Sequence, residues 1–165
     1  MEPRSMLENL ILYFVYQTNG HITKTQLVKF LYLADLYSVK WTGKQLTDLD
    51  WYFYNHGPWH EDIDVALTHL NGQIVQKQEG KATLIQLGAK QIDLHSLEIS
   101  QGLRLILDNI RREWAGSAPG KIDRLLEYVY STKPMLAVKD AYQRSDKARL
   151  NLALERESLI EELGV

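Results

Sequence analysis

The chain has 165 residues, 45% of them apolar and 24% charged, a composition that suits a single domain over 1–165 with its own core and excludes general disorder. Its 19 basic and 21 acidic side chains leave a formal charge of -2, so no electrostatic imbalance points to a nucleic acid or a membrane as partner. The absence of cysteine excludes disulfides, thiolate catalysis and zinc–thiolate sites.

Ser5 and Glu8 have the spacing of a capping box, in which two side chains satisfy backbone donors at a helix start. Leu7, Leu10, Ile11, Phe14 and Val15 follow at helical spacing until Asn19-Gly20. This run is amphipathic and opens on a cap, so it does not read as a signal segment. No stretch approaches the roughly 18 apolar residues of a membrane span, and the expected location is cytoplasmic. Thr23 and Gln26 repeat the capping-box spacing. Leu27, Phe30, Leu31 and Ala34 form one stripe, while Tyr32, Leu33, Leu36 and Tyr37 form another face nearly as apolar. A helix apolar on most sides is expected at the centre of the core, with Gly43 as its left-handed stop.

Trp51 to Tyr54 predicts a short aromatic strand, broken by Gly57-Pro58, with Pro58 in a turn or a first helical turn. The next helix is expected over Trp59 to Leu70, opening on Glu61, Asp62 and Asp64, whose charges suit a helix N-terminus. Asn71-Gly72 stops it. Gln73 to Lys77 and Ala82 to Leu87 predict a hairpin turning near Gly80. Further helices are expected from about Ser100 to Trp114, around Ile122 to Val129, and from Asp146 to Leu163. The loop at 116–120 is expected to cap at Ser117, and Pro134 ends the preceding helix. Met135 to Tyr142 fits no single pattern. The whole predicts an α+β, mainly α fold: a compact helical domain with a short aromatic strand, a small antiparallel hairpin and a winged-helix-like order in its N-terminal half.

Three enzymatic patterns present themselves, each with a plainer explanation. His56 and His60, with Glu61, Asp62 and Asp64, would supply ligands for a metal-dependent hydrolase, but Gly57-Pro58 interrupts the turn that would bring both imidazoles to one ion, and H-E-x-x-H is absent. Gly116 to Lys121 superficially resembles a phosphate loop, yet it is one residue short, lacks Ser or Thr after the lysine and follows a helix. No nucleophile elbow is present, and Asp48 and Asp50 fall in a turn, where aspartate bonds its own backbone. No catalytic residue, metal or cofactor is assigned.

Two binding roles remain. A winged-helix transcriptional regulator would read DNA with its third helix, but that helix has three acids and no lysine or arginine, which repels phosphates. Lys77 and Lys81 of the hairpin, Arg111 and Arg112, and Arg144, Lys147 and Arg149 read as solvated positions. Protein binding is favoured by the aromatic segment, because tryptophan and tyrosine are common interface anchors. Strand alternation sends either Trp51 and Phe53 or Tyr52 and Tyr54 away from the core.

The helix Leu27-Val28-Lys29-Phe30-Leu31-Tyr32-Leu33-Ala34-Asp35, the turn Thr42-Gly43-Lys44-Gln45-Leu46 and the segment Trp51 to Trp59 together resemble the Panacea domain of SocA-like antitoxins, over about residues 5 to 72. Trp59 stands where the family pattern has a small aliphatic residue. No added DNA-binding domain is expected before residue 5. It implies the antitoxin of a type II toxin–antitoxin pair, found also among phage-associated proteins. Such a protein binds and neutralises a toxin from a neighbouring gene, and some members act as adaptors to a protease. The residues expected at the partner contact, or in its support, are Trp51, Tyr52, Tyr54, His56, Gly57, Pro58, Trp59 and His60.

Overall fold

The computed structural model describes residues 3–142 and 147–165. Helix α1 (Met6–Gln17) begins at the expected capping box: the Glu8 amide donates to Ser5 Oγ, and the Ser5 amide to the Glu8 carboxylate, both at 3.1 Å. A short strand β1 (Ile22–Thr23) leads into α2 (Lys24–Thr42) through the second box, Thr23 with Gln26. Gly43 ends α2 with φ +81°, a left-handed conformation that glycine adopts without a Cβ clash. Every residue from Gln26 to Leu36 is buried, as a helix apolar on most faces requires.

The N-terminal half then departs from expectation at one point. The aromatic strand β2 (Tyr52–Tyr54) does not run into a turn or helix at Gly57-Pro58; it folds back as β3 (Gly57–Trp59). The two pair antiparallel, with Tyr52 opposite Trp59 and Phe53 opposite Pro58. Asn55 at φ +56° and Gly57 at φ +137° make the tight reversal. Pro58 can sit here because β3 is an edge strand, where a missing amide hydrogen leaves no ladder bond unmade. Helix α3 (Asp62–His69) therefore starts later than Trp59.

Strands β4 (Ile74–Glu79) and β5 (Ala82–Leu87) form the predicted hairpin, and β1 joins it to give the order β1-β5-β4. Helix, strand, helix, helix and hairpin, with the first strand laid on the hairpin, is a winged-helix-like arrangement. The aromatic hairpin is inserted between its second and third helices.

The second half wraps the other side of α2. Helix α4 (Gln101–Trp114) starts at Ser100, whose hydroxyl accepts from the Leu103 amide at 3.2 Å. Helix α5 (Lys121–Tyr130) is preceded by Gly120 at φ +78°, so the expected cap at Ser117 is corrected: the backbone makes its reversal at the glycine instead. Pro134 ends nothing directly but opens α6 (Lys133–Ala137), where its missing amide hydrogen costs no bond. Met135 to Tyr142 resolves into the end of α6 and a 3-10 turn, Lys139–Ala141.

The final helix is also corrected. Helix α7 spans Ala153–Leu163, and Ala148–Arg149 is a strand, β6, paired with β2; the expected start at Asp146, like Arg144, lies outside the described residues. An exposed sheet edge presents unpaired backbone groups, and β6 satisfies those on the free side of β2. The Leu150 amide extends the contact to the Trp51 carbonyl at 2.9 Å. Helix α7 itself has no buried residue and docks on α2 through polar contacts such as Arg156 Nη1 to the Lys40 carbonyl, 3.0 Å. The described residues thus form seven α-helices and two three-stranded antiparallel sheets, an α+β fold that is mainly α.

One buried carboxylate fixes how the aromatic hairpin leaves α2. Asp35, with no exposure, accepts four hydrogen bonds. The Leu46 and Thr47 amides reach Oδ1 at 3.0 and 2.9 Å, while Thr47 Oγ1 and Trp51 Nε1 reach Oδ2 at 2.5 and 2.8 Å. Burial holds this carboxyl above its ordinary pKa, with the hydrogen bonds from Thr47, Trp51 and Leu46 pulling the other way. Ser38 adds a bond to the Lys44 carbonyl at 2.6 Å. Asp35→Asn turns an amide NH2 towards groups that are themselves donors. It is expected to cost about 2 kcal/mol, and Asp35→Ala more, because each unmet buried donor costs roughly 1–3 kcal/mol. Urea unfolding of the two variants against wild type measures this; midpoints equal to wild type would show that the loop does not depend on the carboxylate.

Candidate partner-binding site

Strand alternation separates the aromatic residues Trp51 to Tyr54 into two sets. Trp51 and Phe53 point inward, each 1% exposed. Trp51 packs edge-on to Tyr32 at 5.6 Å and donates to Asp35; Phe53 packs on Tyr142 at 4.6 Å. Trp51 is therefore a support for the hairpin and presents no surface of its own. Tyr52 and Tyr54 point outward, with rings 6.4 Å apart. The Lys147 ammonium lies 5.2 Å from the Tyr52 ring and 5.4 Å from the Tyr54 ring, a cation–π arrangement. The Tyr52 hydroxyl donates to Glu61, and His60 packs 5.9 Å from the Tyr52 ring.

The other expected site residues lie at the tip and return strand of the same hairpin. His56 is exposed at the turn, Gly57 and Pro58 are buried, and Trp59 and His60 are half-buried. His60 Nδ1 accepts from the Asp62 amide at 3.0 Å, so it serves the start of α3. Lys24 stands 5.3 Å over the Trp59 ring and pairs with Asp64. Among the described residues no three His, Asp or Glu side chains form a group able to hold a metal ion. No described helix is long and apolar enough to cross a membrane.

Beside the hairpin lies a cavity of about 390 Å³, bounded by β3, the start of α2 and the turn into β5, with Val28, Lys29, Tyr54, His56, Trp59 and Lys81 among its walls. Its floor contains a residue whose role is not legible from sequence pattern. Lys29 is only 5% exposed, yet among the described residues it has no hydrogen-bond or ion-pair partner. Its Nζ lies 3.2 Å from the point where a Cβ on Gly57 would sit. Any larger residue at position 57 would crowd the ammonium, and φ +137° already disfavours any residue but glycine there. The signal for Lys29 and Asp35 is a charged residue inside a helix apolar on nearly every face.

Burial without a partner pushes the Lys29 ammonium down from 10.5 to about 8. The folded state therefore holds this proton less tightly than the unfolded chain. The penalty is fully present below about pH 8 and fades as pH rises towards 10.5. Such a shift corresponds to about 3 kcal/mol. Lys29→Met, which keeps the length of the stem and drops the charge, is expected to be more stable than wild type at pH 7, with the advantage shrinking between pH 8 and 10. Paired thermal or urea unfolding across that range checks it; a variant less stable than wild type at pH 7 would mean that the ammonium has a partner in the fold.

The chain matches the family described as antitoxin SocA-like, Panacea domain, over residues 27–127. No curated protein and no solved structure matches it. The matched stretch contains most of the core helix, with Lys29 and Asp35, the loop that Asp35 holds, the aromatic hairpin and the β4–β5 hairpin, and the chain belongs to the SocA-like antitoxin family with its Panacea domain.

Proposed function

We propose that this protein is a stoichiometric antitoxin: it binds a toxin protein and masks it, using the outer face of the aromatic hairpin. One observation supports this reading above the others. Tyr52 and Tyr54 stand outward on a strand whose opposite face is locked into the core through Trp51, Phe53 and Asp35. Rigid tyrosines lose little conformational entropy on binding and are frequent anchors of protein interfaces. Trp59, His56 and Lys147 extend the same surface. The partner is proposed to be the product of a neighbouring gene, and the protein acts without catalysis or cofactor.

Winged-helix-like order alone does not make a DNA reader. Helix α3 brings Asp62 and Asp64 to the position a recognition helix would take, with no lysine or arginine on it, and phosphates would be repelled there.

Co-expression with the neighbouring gene tests the reading: growth is expected to be arrested by that gene alone and restored when this protein is present. The same pair in cells lacking the main ATP-dependent proteases separates masking, which persists, from delivery to a protease, which does not. Tyr54→Ala is expected to keep the fold by circular dichroism and to weaken the complex about 30-fold, the consequence of losing an anchor worth roughly 2 kcal/mol. Unchanged affinity in a titration of purified partners would move the contact elsewhere.

A further inference from the structure

We propose that the cavity beside the aromatic hairpin is a receptor for a carboxylate on the protein partner, with the Lys29 ammonium as the group that binds it. The proposal deepens the toxin-binding reading and rests on it. Central helix α2 buries four polar side chains, and three of them are engaged inside the fold. Gln26 closes the cap with Thr23 and donates to the Gly116 carbonyl at 3.0 Å, Ser38 donates to the Lys44 carbonyl, and Asp35 accepts four bonds. Lys29 is the exception, and it is the one of the four that lines this cavity. The Lys29 side chain is shielded from bulk water, and its ammonium, which opens on the cavity, has no contact within the described fold to offset that shielding, so an anion arriving from outside is the partner that would complete it.

The surroundings decide which anion. The cavity walls bring three lysines, Lys24, Lys29 and Lys81, against a single carboxylate, Asp64, and Asp64 is already paired with Lys24. Of the two lysines left, Lys81 is exposed and only Lys29 is shielded from bulk water, and a single shielded cation matches a monoanion better than a phosphate dianion. Val28, Pro58, Trp59 and Ala82 give the cavity an apolar side, next to the polar Thr25, Asn55, His56 and Thr83, which suits a charged tip on a hydrocarbon stem. Both an aspartate or glutamate side group and a polypeptide C-terminus have that form. Tyr54 and His56, both exposed, are among its walls, so a partner lying on the outer face of the hairpin lies next to the cavity.

The test is a titration of the wild-type protein, labelled with carbon-13 at lysine, followed by the Lys29 Cε resonance. Two probes separate the sources: N-acetylglutamic acid α-amide offers only the γ-carboxylate of a glutamate, and N-acetylvaline only a terminal carboxylate. Their methyl esters, sodium chloride and inorganic phosphate are the comparisons. At least one carboxylate is expected to give a saturable shift, to bind at least tenfold more tightly than its ester, and to raise the Lys29 titration midpoint towards that of an ordinary lysine. The response should vanish in Lys29→Met while other lysine resonances stay in place. No saturation by either carboxylate at tens of millimolar, an equal response to the esters, or saturation by phosphate alone would overturn the proposal. Co-expression keeps the two readings apart. If wild type fails to neutralise the neighbouring gene product, the antitoxin reading falls while the titration still decides the cavity. If folded Lys29→Met neutralises as well as wild type, the carboxylate has no part in partner binding.

Discussion

The Asp35 carboxylate is the constraint on which the placement of the aromatic hairpin depends. A charged group with no exposure can persist only if its oxygens are satisfied, and here four donors are drawn from three residues of one loop. Leu46, Thr47 and Trp51 are thereby brought to a single point on α2. Because the Trp51 indole is one of the donors, the residue immediately before β2 is fixed in both position and rotation. Strand alternation then dictates the rest: Phe53 goes in with Trp51, and Tyr52 and Tyr54 go out.

That anchoring explains why a three-residue strand can hold a defined surface at all. An isolated two-stranded hairpin is marginal in water. This one is tied by Asp35 at its entry, by Phe53 on Tyr142 beneath, and by β6 along its free edge. A surface of this kind is preorganised, and preorganisation lowers the entropy cost of association. Lys29 stands in contrast to Asp35 six residues later on the same helix. One buried charge is fully used in holding the fold; the other is left without a partner beside the same hairpin, at a cost to stability. Residues retained against stability are where binding function is often found.

The winged-helix-like half illustrates the separation of architecture from activity. Its sheet and three helices have the order of a DNA-binding module, but the helix in the reading position has acids, and one of them, Asp64, is turned to Lys24 at the wall of the cavity. The inserted hairpin sits next to that helix. Compared with a nucleic-acid-reading module of the same order, this half differs in the charge of its third helix and in an inserted hairpin, both compatible with the same core.

The amino-acid sequence by itself determined the features that depend on neighbours a few residues away. The two capping boxes, the Gly43 stop, the hairpin around Gly80 and the centrality of α2 all follow from local hydrogen bonding and from periodicity. So did the family, through the run from Leu27 to Asp35 and the aromatic segment after it. The alternation of the aromatic strand was legible, but which set faces inward was not, since both sets are aromatic and alternation alone does not say which the core takes; the bond from the Trp51 indole to Asp35 decided it. The return strand at Gly57-Pro58 was hidden because a Gly-Pro pair ordinarily breaks a strand, and only its position at a sheet edge makes the proline acceptable. The pairing of Ala148 and Arg149 with β2 was hidden for a different reason: two residues carry no periodic signal, and their strand exists only because an edge far earlier in the sequence offers unpaired backbone groups. The unpartnered ammonium of Lys29 was likewise invisible, because whether a buried charge has a partner is a property of what surrounds it in space, and that only tertiary packing decides.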